Sequence, residues 1–187
     1  MKSKNPALSK LFLLLGDAVF LAVLIFLDQF TKRLAVLHLK GKDPINIIPG
    51  ALKLQYLENN GAAFGVLQNQ KLFFVFIAVI ILSVILYVLC KAPLWKKYRL
   101  LHVLLVMIAG GAIGNMIDRL TQTYVVDFIY FSLIDFPIFN VADIYVTCAT
   151  IGLALAILFY YQENDFHFLS LKPQMTREPK YNKDQKK

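Results

Sequence analysis

Residues 72–90 read LFFVFIAVIILSVILYVLC, an apolar run of 19 residues in which only Ser83 is polar. A helix rises about 1.5 Å per residue, so such a run crosses the hydrocarbon core of a bilayer once. It carries no chemistry of its own, but it decides how its neighbours are read. After it comes KAPLWKKYR (91–99), a short basic loop with Pro93 and with Trp95 as an interfacial anchor. Further apolar runs follow at 100–117 and at 144–161, the last closed by Tyr160 and Tyr161. Before it, residues 11–27 are apolar except for Asp17, and they follow Lys2, Lys4 and Lys10. A basic start and an apolar run also describe a cleavable signal peptide, but no A-x-A-like site follows. The run ends in Asp28-Gln29-Phe30-Thr31-Lys32 instead. The expected fold is therefore a mainly α membrane protein with four transmembrane helices.

Composition agrees. The chain has 187 residues, is 58% hydrophobic and has a mean hydropathy of +0.58, where soluble domains are usually about 45–50% apolar. The net charge of +8 lies in short blocks between apolar runs rather than along one face, which excludes nucleic acid as a partner and points to anionic membrane lipids. Cys90 and Cys148 sit in apolar runs with no CxxC and no nearby His. They read as helix-packing residues, with neither a disulfide nor a metal site, and no cofactor is expected.

Residues 40–70 change character. Gly41, Pro44, Pro49, Gly50, Gly61 and Gly65 punctuate short runs, and ALKLQYL (51–57) alternates apolar and polar residues as a strand does. A small β-structured insert is expected at about 41–65, between the first two helices. Residues 1–162 then form one membrane domain, and 163–187 a basic, poorly ordered cytoplasmic tail. Thirteen Lys and Arg fall on the side of the N-terminus, the 91–99 loop and the tail, against seven on the other. By the positive-inside rule both termini are cytoplasmic. The insert and the 118–143 connection then share the extracytoplasmic face.

That face gathers the polar residues. In GGAIGNMIDRL (110–120), Gly111, Asn115 and Arg119 recur every four residues on one helical face, and Gly110 and Gly114 let a neighbouring helix come close. Asn115 can hydrogen-bond in that interface, and Arg119 can clamp a loop backbone or a carboxylate. VVDF (125–128) and FNVAD (139–143) bring Asp127 and Asp143, with Asn140 placed to cap the last helix. Two carboxylates that approach closely share a proton, so one can serve as general base while the other polarises a carbonyl and protonates the leaving amine. This is the chemistry of an aspartyl peptidase. Asp118, beside Arg119, and Asp135, in the aromatic loop, are rival carboxylates; Asp17 reads as solvated or helix-paired. There is no HExxH and no GxSxG, and His38, His102 and His167 are scattered. A small ion-coupled transporter and a non-enzymatic scaffold stay open at this point. The first calls for midplane polar residues and repeated halves; the second would tolerate Asp127→Asn.

Five motifs in order, Asp28-Gln29-x-x-Lys32, Asn59-x-Gly61-Ala62-Ala63-Phe64, Gly114-Asn115-x-x-Asp118-Arg119, Val126-Asp127-Phe128 and Phe139-Asn140-x-Ala142-Asp143, make the chain resemble the bacterial lipoprotein signal peptidases, or signal peptidase II, over about residues 11–161. The resemblance implies an intramembrane aspartyl endopeptidase of the cell (inner) membrane that removes signal peptides from diacylglyceryl-modified prolipoproteins, cleaving before the lipid-bearing Cys. It implies Asp127 and Asp143 as the catalytic dyad, supported by Asn59, Gly111, Asn115, Arg119 and Asn140. Asp28, Lys32 and Gly61 would be structural, with Asp28 bracing the insert. It further implies a β-cradle on the membrane and globomycin-type cyclic peptides as inhibitors. A monomer is expected.

Overall fold

The structure is a computed structural model that describes residues 5–61 and 70–170. Ala62, Ala63 and Phe64 of the second motif and the end of the chain from residue 171 lie outside the described residues. Four helices account for most of it: α1 (Pro6–Leu39), α2 (Lys71–Lys91), α3 (Arg99–Gln122) and α4 (Val141–Phe159). Each is long and apolar enough to cross a membrane. Large apolar side chains such as Phe12, Val19, Phe76, Leu86 and Leu158 stand exposed on them, which a water-soluble surface does not tolerate at this density. The chain is a multi-pass membrane protein.

Local chemistry explains where the helices begin and end. Pro6 occupies the first turn of α1, where its missing N–H costs nothing, and the Asn5 side chain accepts from the Ala7 N–H at 3.0 Å. The helix runs to Leu39 and stops before Gly41, whose φ of +71° suits glycine. Asp28 and Lys32, which follow the end of the first apolar run, therefore lie inside α1. The short turn Lys96–Tyr98 leads into α3, and α3 ends at Thr123, a left-handed residue with φ of 73°. Helix α4 starts at a full capping box: the Asp143 N–H donates to Asn140 Oδ1 at 3.0 Å, and the Asn140 N–H donates to Asp143 Oδ2 at 3.1 Å.

Helix α3 is central, touching α1, α2 and α4. Its small residues make this possible. A Cβ on Gly110 would meet Leu24 of α1, and one on Gly111 would strike the Ala142 carbonyl oxygen of α4. The buried bundle core includes Leu24, Ile85, Leu89, Leu101, Leu105 and Ala149.

A three-stranded antiparallel sheet sits at one end of the bundle, in the order β1 (Ile45–Ile48), β2 (Leu52–Asn59), β3 (Val125–Phe131). The hairpin β1–β2 is the expected insert. The third strand corrects the sequence reading, which left 118–143 as an aromatic loop: VVDFIYF is β-branched and aromatic and completes the sheet from the α3–α4 connection. Ala35, Leu39, Val126 and Phe128 form a second core that fastens the sheet to the last turns of α1.

The expectation of a disordered tail from 163 is also corrected for its described part. Residues Glu163–Leu169 form a 3₁₀ segment in which Asp165 pairs with Lys97, and the Tyr98 hydroxyl donates to the Asp165 carbonyl at 2.8 Å. Phe166 and Phe168 meet Tyr161 and Tyr98 edge to face. Enough aromatic surface is buried there to order a polar stretch.

Candidate active site

The sheet brings Asp127 to the bundle, and its register decides which way Asp127 faces. From Leu52 to Leu54, β2 pairs with Phe131 to Ile129; from Leu57 to Asn59 it pairs with Asp127 to Val125. One extra residue in β2 is accommodated between these stretches as a bulge. In the first register Asn59 would stand opposite Tyr124 and share a face with Val126. The bulge sets it opposite Val125, on the face of Asp127. There the Asn59 side-chain amide donates to Asp127 Oδ2 at 2.8 Å, while Asn59 Oδ1 accepts from the Gly61 N–H at 2.9 Å.

Asp143 enters from α4. Its Oδ2 is held by the Asn140 backbone, and its Oδ1 accepts from the Asn115 amide at 2.8 Å. Asn140 links the two acids, because its side-chain amide donates to Asp127 Oδ1 at 2.6 Å and to Asn115 Oδ1 at 3.1 Å. Every carboxylate oxygen of the pair thus receives a protein N–H. Asp127 is 1% exposed. Burial, and then the Asp143 charge beside it, push its carboxyl up to about 7, while the bonds from Asn59 and Asn140 pull the other way. An acid in that condition keeps its proton near neutrality.

The pair opens into a cleft of about 680 Å³. Its walls are mostly apolar: Phe74 of α2, Phe131 of β3, Ile134, Phe136 and Phe139 of the β3–α4 connection, and Ile144, Thr147 and Cys148 of α4. Arg119 closes one side, donating to the Gly61 carbonyl at 3.2 Å and to the Asn115 carbonyl at 3.4 Å, with its guanidinium 4.5 Å over the Phe74 ring. The arrangement can hold an extended apolar segment and present a water and a carbonyl to two acids. Among the described residues no group of His, Cys, Asp or Glu is arranged to hold a metal ion.

Asn59, Asn115, Arg119, Asn140, Asp127 and Asp143 converge here, with Gly61 at the rim. Gly111 does not line the cleft; it acts one layer away, by letting α4 approach. Asp28 is likewise corrected. It does not brace the insert but accepts from the Ala142 N–H at 3.0 Å, pinning the start of α4, and pairs with Lys32 at 2.9 Å. Nor does Asp118 pair with Arg119: it meets Lys32 at 3.0 Å and accepts from the Val126 N–H at 3.1 Å. Asp17 is helix-paired, against His102 at 2.6 Å, and Asp135 accepts from the Tyr130 hydroxyl. Phe74, Thr147 and Cys148 were missed. Thr147 lies four residues after Asp143, so helical periodicity would have found it; Phe74 had no signal, being brought in from a featureless span.

Known proteins resemble this chain in sequence and in fold. Residues 20–159 match the family described as Signal peptidase (SPase) II. The chain belongs to the signal peptidase II family. A lipoprotein signal peptidase of Streptococcus pyogenes serotype M5 (strain Manfredo) is 42% identical over 149 residues, covering 78% of this chain and 93% of the relative. The serotype M18 (strain MGAS8232) enzyme matches to the same extent. A bacterial membrane enzyme solved by the in meso method at 2.3 Å resolution superposes with a TM-score of 0.67 at 31% identity, over 84% of this chain and 93% of that one. A second, at 1.9 Å, gives 0.67 at 32% identity. This member of the family is therefore a peptidase of the membrane.

Proposed function

We propose that the chain hydrolyses the peptide bond before the diacylglyceryl-bearing Cys of prolipoproteins, using Asp127 and Asp143 as an aspartyl dyad. The observation that carries this reading is the doubly anchored carboxylate pair, with Asp127 displaced to about 7, at the mouth of an apolar cleft. With one proton shared between them, Asp127 holds it and hydrogen-bonds the scissile carbonyl. Asp143 takes a proton from the attacking water, and the oxyanion that forms is stabilised by Asp127. Asp143 then returns its proton to the leaving amine as the C–N bond breaks. Asn59, Asn115 and Asn140 hold both acids in place, and Arg119 fixes the segment that carries Gly61.

The same reading places the site at the extracytoplasmic face of the cell (inner) membrane, with both termini cytoplasmic. The Lys and Arg count supports it. One monomer suffices, since both acids come from one chain, and surrounding lipids contact the exposed helix faces. Globomycin-type cyclic peptides are the inhibitors that the family resemblance implies. The membrane domain of 1–162 is followed by a cytoplasmic basic segment, whose first residues, Glu163–Leu169, pack back against Lys97 and Tyr98.

The experiment is cleavage of a diacylglyceryl-modified prolipoprotein by purified wild type, Asp127→Asn and Asp143→Asn in detergent. Activity in the wild type and near-complete loss in both folded variants is expected. Robust cleavage by either variant would remove that aspartate from the chemistry.

A further inference from the structure

Beneath the dyad lies a buried polar cluster. Lys32 of α1, 3% exposed, sits between the carboxylates of Asp28 and Asp118 at 2.9 and 3.0 Å. Its third N–H goes to Asn115 Oδ1 at 2.8 Å. What the two flanking acids do with their remaining oxygens is parallel. Asp28 accepts from the N–H of Ala142, the residue immediately before Asp143. Asp118 accepts from the N–H of Val126, the residue immediately before Asp127.

We propose that Lys32 is a positioning residue that sets the spacing of the two aspartates. It clamps together two carboxylates, each of which grips the backbone one residue ahead of one member of the pair. This rests on the reading of Asp127 and Asp143 as the catalytic dyad. Two independent observations support it. The first is mechanical: β3 and α4 come from different layers, and Asp28–Lys32–Asp118 joins their backbones within a single chain of charge-assisted bonds. Gly114 keeps this joint tight, since a Cβ there would strike Asp28 Oδ2, and Gln29 supports it by donating to both Asp28 and Asp118 at 3.1 and 3.0 Å.

The second observation concerns hydrogen-bond polarity. A lysine ammonium has donors only, so the atom of Asn115 that faces it must be the oxygen. The Asn115 nitrogen is thereby turned towards Asp143 Oδ1. Lys32 so dictates that Asp143 receives a donor there, although it does not touch Asp143 itself. The charged groups facing the pair are Lys32 from α1 and Arg119 from α3, and both act on Asp127 or its neighbour.

The test uses the full chain, purified in detergent, with diacylglyceryl-modified prolipoprotein as substrate. Lys32→Gln removes the clamp. Asp118→Asn is milder, because its amide oxygen can still accept from Val126. Positioning predicts a fall in kcat of about tenfold or more with KM held within about twofold, since displacing reacting groups slightly costs rate rather than binding. It also predicts a displaced pH–rate profile. Wild-type kcat in a folded variant would overturn the proposal. So would a loss of active molecules that follows the melting temperature while the profile stays as in the wild type. Should Lys32→Gln not fold, Asp118→Asn decides; failure of both to fold would make the cluster a folding element only and also overturn it. Asp127→Asn is assayed alongside, and its activity would sink the dyad reading instead, a failure distinct from unchanged kcat in the two outer variants.

Discussion

Asn140 and Asp143 are bonded to each other twice, side chain to backbone in both directions, at 3.0 and 3.1 Å. The same Asn140 reaches across to Asp127 with its amide nitrogen at 2.6 Å. One residue thus ends a membrane helix and spans the gap between the two acids.

These two duties separate by mutation. Ser is as good an N-cap as Asn, but has no amide to reach Asp127. Asn140→Ser is expected to keep its melting temperature near the wild-type value and to lose about tenfold or more in kcat. Asn140→Ala should lose the activity and about 1 kcal/mol of stability as well. Paired thermal melts and cleavage assays check both.

Rate should depend on pH through Asp127. Its carboxyl titrates at about 7 because it is buried beside Asp143, so a rise in pH through 7 strips the shared proton. Cleavage is expected to fall on that alkaline limb, tracked as kcat/KM between pH 5 and 9, a window about two pH units either side of neutrality. The stability effect has the matching sign. A carboxyl whose folded value lies above its unfolded one, about 4, binds a proton more tightly when folded. Its contribution is full below about pH 4 and is lost as pH rises to about 7. A kcat/KM that does not fall as pH rises through 7 would count against the assignment.

Gly111 should tolerate no side chain. Its missing Cβ is what lets the Ala142 carbonyl lie against α3. Gly111→Ala is expected to destabilise by about 1–3 kcal/mol and to reduce kcat by shifting the first turn of α4. Gly16, which has open space around it, serves as the control: Gly16→Ala should leave activity unchanged and melting unchanged or slightly higher.

Removing one residue between the β2 bulge and Asn59 should be more damaging than any conservative substitution there. Deletion of Glu58, with the bulge kept, would set Asn59 opposite Val126 and turn that side chain away from Asp127. Loss of cleavage comparable to Asn59→Ala, in a protein that still melts cooperatively, is the expected result. Full activity would mean that the strand gives up the bulge and so keeps Asn59 opposite Val125.

The pair formed by Asp17 and His102 offers a test far from the site. His102 lies thirteen residues before Asn115 on α3, about 20 Å along the helix, and its Nε2 finds no partner among the described residues. His102→Leu strands Asp17 in the bundle and should cost about 1–3 kcal/mol. Joint replacement of Asp17 and His102 by Leu should recover most of it. Cleavage per folded molecule should be unchanged in both.

Much of this was legible in the residues. Apolar run length gave the four helices, and the period of four in Gly111, Asn115 and Arg119 gave the face that meets α4. Asn140 announced the cap. The third strand was hidden because VVDFIYF lies in a connection whose pairing partner, β2, is remote in sequence. Asp28 and Asp118 were misjudged for a related reason: each is bonded to a backbone N–H, of Ala142 and of Val126, and a main-chain donor leaves no mark in the sequence. The 3₁₀ segment at Glu163–Leu169 was overlooked because its polar residues outweigh Phe166 and Phe168 in composition, although those two rings anchor it.

The unequal lengths of α1 and α4 have a consequence for reach. With 34 residues, α1 is about 51 Å long, whereas α4, with 19, is about 28 Å. The hydrocarbon layer is about 30 Å, so α4 nearly matches it and α1 overshoots, its surplus turns supporting the sheet. On the proposed reading, Asp143, in the first turn of α4, would lie at the boundary between acyl chains and headgroups. A peptide bond can be cut only if it stays at that depth. A substrate tethered by its own lipid just past the bond meets this condition, while a protein free to drift into water does not. Selectivity of that kind needs no side chain to read the sequence; the length of one helix is the ruler.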